Sequence, residues 1–204
     1  IGRYANRLAG GRLLFGGQVH QLPTGGEHCL HGGEGFSHSV WQVQQQQSAQ
    51  VLLFLHSADG ESGFPGDLSV WQEISLQETT LQINFRASTT SATVVSLTNH
   101  CYFNLDGSAD LTNHQLQIHA NEFLPVDATL IPTGERRRVA TTIFDFRQPR
   151  RIGDQLQMTD PQLALAGGFD HCYLFAQSGA GLQEMAVLNS PLSNIRLTVS
   201  STLP

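Results

Sequence analysis

Short runs of alternating apolar and polar residues recur along this chain, each closed by a glycine, proline or aspartate turn signal. That punctuation limits the folds open to it. Arg12–Phe15 runs into Gly16-Gly17, and Gln18–Leu22 resumes the alternation, which is the pattern of a hairpin. Further strands are expected at Trp41–Gln44, Val51–His56, Leu68–Leu76, Leu81–Arg86 and Thr93–Leu105. A second series is expected at Gln115–Ala120, Glu122–Val126, Ile143–Phe146, His171–Phe175, Glu184–Leu188 and Ile195–Ser200. Only Ile152–Met158 reads as helical, and the glutamine run Gln44–Gln47 reads as a strand end or a loop. Many short strands with so little helix point to an all-β fold, a large antiparallel β-sandwich or barrel.

Composition removes several function classes. The 204 residues suffice for one large domain, taken here as 1–204. A net charge of −6, with Arg136-Arg137-Arg138 as the one basic cluster, argues against a nucleic-acid partner. The chain contains no lysine, which removes the phosphate-loop lysine and the lysine Schiff base together. Cys29, Cys101 and Cys172 are too far apart in sequence to make a disulfide framework; they suit a reducing, cytoplasmic compartment. No apolar stretch reaches the length of a membrane span.

With a two-residue period, Ser96–Leu105 separates into unlike faces. Val95, Leu97, Cys101, Phe103 and Leu105 share one; Ser96, Thr98, His100, Tyr102 and Asn104 share the other. The second face carries groups that grip neutral oxygens. Three further places hold similar groups. Gly2–Arg7 is a cluster of donors that, taken alone, reads first as a capped surface turn. Leu30-His31-Gly32-Gly33 joins a histidine to two glycines that would let backbone approach a ligand. Gly168-Phe169-Asp170-His171 sets a carboxylate ahead of an apolar strand, where most aspartates simply form turns. No metal is expected, although His31, His100 and Asp170 leave a β-barrel iron or manganese site open.

In their order, Gly2–Arg7, Leu30–Gly33, Thr98–Leu105 and Gly168–His171 resemble the aldose 1-epimerases, the galactose mutarotases. Phe123–Asp127, Ile131–Gly134 and Phe144–Arg147 match the same family. The resemblance implies a large antiparallel β-sandwich, an isomerase that needs no cofactor, and a small-molecule sugar as partner. It implies His100 as general acid toward the pyranose ring oxygen and His31 as a second site histidine near that oxygen. Asn6 and Arg7 are then sugar-binding residues, and Asp170 the carboxylate that receives sugar hydroxyls. His100 is expected in a concave cleft with Phe103 packed behind it, and the other four are expected to converge there.

The family's base is a glutamate near the C-terminus, and no glutamate here lies in a context like it. The chain also opens inside the first site motif, so the 204 residues read as the middle of such a protein, lacking that base and inactive alone. Two other functions stay open. A hexose 6-phosphate epimerase would want cations at the site, for which only Arg3 and Arg7 offer themselves. A non-catalytic sugar-binding protein of the same fold would need no base at all. The sequence does not fix the oligomeric state.

Overall fold

The computed structural model describes residues 1–176 and 181–203, which leaves Pro204 outside. It divides into two compact units, Ile1–Cys101 and Tyr102–Pro204. The first unit holds eight strands: β1 (Arg7–Leu8), β2 (Arg12–Phe15), β3 (Gln18–Gln21), β4 (Cys29–Leu30), β5 (Gln42–Gln47), β6 (Gln50–Ser57), β7 (Leu68–Gln77) and β8 (Thr80–Thr89). β2 and β3 form the expected hairpin. Gly16 and Gly17 have φ of 58° and 77°, the left-handed pair that a tight two-residue turn demands. β5 to β8 make an antiparallel meander in chain order. Its face bearing Leu55, Leu68 and Val70 packs with Phe36, Trp41 and Leu97. A second cluster joins Leu13, Leu22, Cys29 and Phe64.

The second unit continues with β9 (Gln115–Ile118), β10 (Glu122–Phe123), β11 (Arg137–Arg138), β12 (Arg150–Arg151), β13 (Tyr173–Leu174), β14 (Gln183–Asn189) and β15 (Arg196–Ser201). Its core joins Phe123, Val139, Ile143, Phe144 and Leu163. Helix α1 (Ile152–Leu156) falls where expected. Helix α2 (Pro161–Ala166) was not anticipated. Every ladder between named strands in the described residues is antiparallel, as an all-β antiparallel fold requires. Among the described residues no helix is long and apolar enough to cross a membrane.

Two expected strands are not strands. Across Thr93–Leu105 only Ser96 is bridged, in a single parallel bridge to Tyr4. The polar side chains there bond to nearby backbone instead. Thr98 Oγ1 donates to the Asn99 carbonyl, Asn99 Oδ1 accepts from the Cys101 N–H, and Asn104 Oδ1 accepts from Asp106 and Gly107. Such local bonds compete with a ladder and win where side chains are short and polar. Ile143–Phe146 is a turn for the same reason, Thr142 Oγ1 accepting from the Phe144 N–H. Glu122–Val126 and His171–Phe175 shrink to the two-residue β10 and β13; proline at 125 ends the first. Gln44–Gln47 lies wholly within the edge strand β5.

Gly32 shows how tightly the first unit is drawn together. Its φ is +79°, and a Cβ there would overlap the Gly2 carbonyl oxygen. The glycine serves close approach of the chain to itself rather than to a ligand. Gly32→Ala is therefore expected to lower the unfolding free energy measured in urea by about 2 kcal/mol or more, since both the φ and the overlap must be relieved.

Candidate active site

The first six residues fix the site's geometry. Ile1–Ala5 run beside Ser96–Thr98: Ser96 N–H donates to the Arg3 carbonyl at 2.7 Å, and Ala5 N–H donates to the Ser96 carbonyl at 2.9 Å. Arg3 locks this pairing in place. It is only 2% exposed, and its guanidinium donates to Ser57 (carbonyl and Oγ) and to the carbonyls of Ala58, Pro65 and Gly66. It also donates to Thr93 Oγ1 at 3.3 Å. Arg3 is thus a structural clamp and not a site donor, which corrects its place among the cations available to a ligand.

Immediately after the clamp the chain turns through Asn6 at φ 64°. β1 then pairs with β4, Arg7 opposite Leu30. This brings Asn6 beside His31, itself at φ 57°. The two residues hold each other: His31 N–H donates to the Asn6 carbonyl at 3.0 Å, and Asn6 N–H donates to His31 Nδ1 at 3.1 Å. An Nδ1 that accepts a backbone hydrogen carries none of its own, so the neutral His31 ring bears its proton on Nε2. Asn6 Oδ1 accepts from the Arg7 backbone N–H at 2.8 Å and from Arg7 Nη1 at 3.4 Å. Left-handed backbone at two paired non-glycine site positions costs energy, and such strain concentrates where side-chain direction matters.

The Ser96 bridge carries the chain on to His100. The rings of His31 and His100 meet edge to face, centroids 5.1 Å apart and planes at 84°. Asn6, Arg7, His31 and His100 therefore come together in the first unit, drawn from three separated stretches of sequence. His100 and Asn6 are exposed, while Arg7 and His31 are half-buried. Phe103, expected in the core, is 42% exposed, because the segment is not a strand and its residues do not alternate between faces.

Asp170 belongs to the second unit and is exposed. Its flanks are anchored. Phe169 packs on Phe144 and Phe146 at centroid distances of 5.4 and 5.1 Å. His171 Nε2 lies 3.2 Å from Gln162 Oε1, and Gln162 itself clasps both the N–H and the carbonyl of Val126. Burial pushes the His171 pKa below its ordinary value, which keeps that ring neutral. Among the described residues no three His, Cys, Asp or Glu side chains gather as metal ligands would.

The family model for aldose 1-epimerase matches residues 1–204. The chain belongs to the aldose 1-epimerase family. It is 41% identical to the Escherichia coli aldose 1-epimerase over all of its own length and 60% of that protein's. It is 43% identical to the mouse galactose mutarotase, covering 87% of this chain and 52% of the mouse one. Among solved structures, the galactose 1-epimerase of Lactobacillus acidophilus superposes with a TM-score of 0.81 at 34% identity, over 93% of this chain and 57% of that one. The aldose epimerase homologue of C. elegans gives 0.87 at 30%, over 97% and 60%. The chain thus spans between half and three fifths of these relatives' lengths.

Proposed function

We propose that the polypeptide carrying this sequence is an aldose 1-epimerase that interconverts the α and β anomers of free aldohexoses such as galactose and glucose. One observation carries the reading: the His31–His100 pair at 5.1 Å, with His31 held in one tautomer by Asn6. Opening a hemiacetal requires a proton on the ring oxygen as a base takes the anomeric hydroxyl proton. Rotation about C1–C2 and reclosure then give the other anomer. His100 is the proton donor in this scheme, because imidazole gives and takes protons near neutral pH. His31 offers its Nε2–H to the same oxygen and so stabilises the opened sugar. Asn6 and Arg7 bind hydroxyls, and Asp170 receives others. The chemistry calls for no cofactor, and the whole of 1–204 acts as part of one cytoplasmic sugar-binding domain.

The burial of Arg3 speaks against the hexose 6-phosphate alternative, since it leaves Arg7 as the only cation of the N-terminal cluster near the histidines. Polarimetry discriminates the readings. Fresh α-D-galactose should equilibrate with a saturable, protein-dependent acceleration, and glucose 6-phosphate should gain little. Acceleration of the phosphate ester alone would support the alternative; binding of galactose without acceleration would support a non-catalytic sugar protein.

A further inference from the structure

The β5–β8 sheet turns Leu55, Leu68 and Val70 toward the core, and its opposite face has a different chemistry. Strand register places Gln47, Gln50, Ser75 and Gln82 in one cross-strand row, with Glu73 opposite Asn84 in the next. Gln44 is the extra residue of a bulge, and the shift it introduces turns Gln45 and Gln47 onto this face. Over these rows lies a cavity of about 280 Å³, lined by Gln47, Gln50, Glu73, Ser75, Gln82 and Asn84 among others. Its polar groups are already oriented. Gln50 donates an amide hydrogen to Glu73, and Gln82 donates one to Asn84 at 3.4 Å.

The lining decides the ligand. An anion would meet Glu73 and find no cation among the lining residues. An apolar guest would strand the amides without partners. A divalent cation would find a single carboxylate where several hard oxygens, charged ones foremost, are wanted. Neutral hydroxyls, each both donor and acceptor, match side-by-side amides. We propose that this cavity is a second carbohydrate site that takes a neutral pyranose. Its lining includes none of Asn6, Arg7, His31 and His100, and along β6 Gln50 lies seven residues, roughly 23 Å at ~3.3 Å per residue, from the Ser57 that grips Arg3. Beyond these rows, Trp71 lies two residues before Glu73 on the same face, its ring 5.1 Å from that of Phe54 and covered by the Arg86 guanidinium at 4.4 Å, so the polar rows end on an aromatic ring that is already occupied.

Methyl β-D-galactopyranoside is the probe, because a glycoside has no anomeric hydroxyl to open and reports binding apart from turnover. Titrated into the protein, it should shift the side-chain amide NMR signals of Gln50, Gln82 and Asn84 in a saturable way. Gln82→Val with Asn84→Val should weaken that response at least about tenfold while leaving the polarimetric rate on galactose unchanged. Valine suits exposed strand positions, and an unchanged backbone amide spectrum would verify the fold. Asn84→Ala alone should give a smaller loss in the same direction. No saturable shift up to about 100 mM glycoside would overturn the proposal. So would equal shifts in the double variant, or equal binding of galactose 6-phosphate.

Discussion

Replacing His100 with asparagine is expected to cost about 10²–10⁴-fold in mutarotation rate while leaving the fold intact. In activation free energy that is about 3–5 kcal/mol. The fold should survive because His100 is exposed, so the exchange opens no cavity in a core. Asparagine keeps a polar group beside His31 but delivers no proton. His31 does not take over: its Nδ1 is engaged by Asn6 and its Nε2–H is a hydrogen-bond donor, not an acid matched to the ring oxygen. Rates measured against the uncatalysed reaction, with circular dichroism on the same sample, separate lost chemistry from lost structure. Near-wild-type turnover would remove His100 from the mechanism.

Arg3→Met is expected to be among the most damaging single changes to stability, at about 3–5 kcal/mol. The guanidinium reaches six acceptors across Ser57, Ala58, Pro65, Gly66 and Thr93, all neutral. Methionine fills much of the volume but takes away these donors, leaving only the Pro65 carbonyl among these acceptors with a side-chain donor, Thr93 Oγ1, in the described residues, and a buried unpaired polar group costs ~1–3 kcal/mol. Burial lowers the Arg3 pKa from its ordinary value, and Glu61 is the first of three carboxylates, with Asp67 and Asp59, whose field opposes that shift. Arg3→Lys should recover only part of the loss, because a single ammonium cannot span acceptors that a planar fork reaches. Urea unfolding tests this: the midpoint should fall with little change in slope. A loss below about 1 kcal/mol would mean the clamp contributes far less than its geometry indicates.

The strands that the sequence disclosed are those whose periodicity and turn chemistry agree. β2, β3 and β6 to β8 fall within a few residues of their expected limits, because alternation and glycine turns act locally. Helix α2 was legible and overlooked. Asp160 caps it by accepting from the Gln162 N–H, Pro161 opens it, and Gly167 closes it at φ 69°. Residues 93–105 misled because a two-residue period says nothing about Thr98, Asn99 and Asn104 bonding back to the chain. Arg3 could not be read at all. A charged residue between Gly2 and Tyr4 looks exposed until acceptors from beyond position 56 close over it. The site was legible only as motifs. No local pattern reveals that His31 and His100 meet, because their contact is made by the pairing of Tyr4 with Ser96 and of Arg7 with Leu30.

Exchange NMR on equilibrated galactose tests the central claim most directly, because it reads interconversion of the two anomeric protons without any net reaction. With the full-length polypeptide that contains these residues, cross-peaks between the α and β H1 signals should grow at a rate proportional to protein concentration, and with His100→Asn they should fall to the level of buffer. Cross-peaks of equal rate for both proteins, or none above buffer for the wild type, would contradict the assignment of ring opening to the His31–His100 pair.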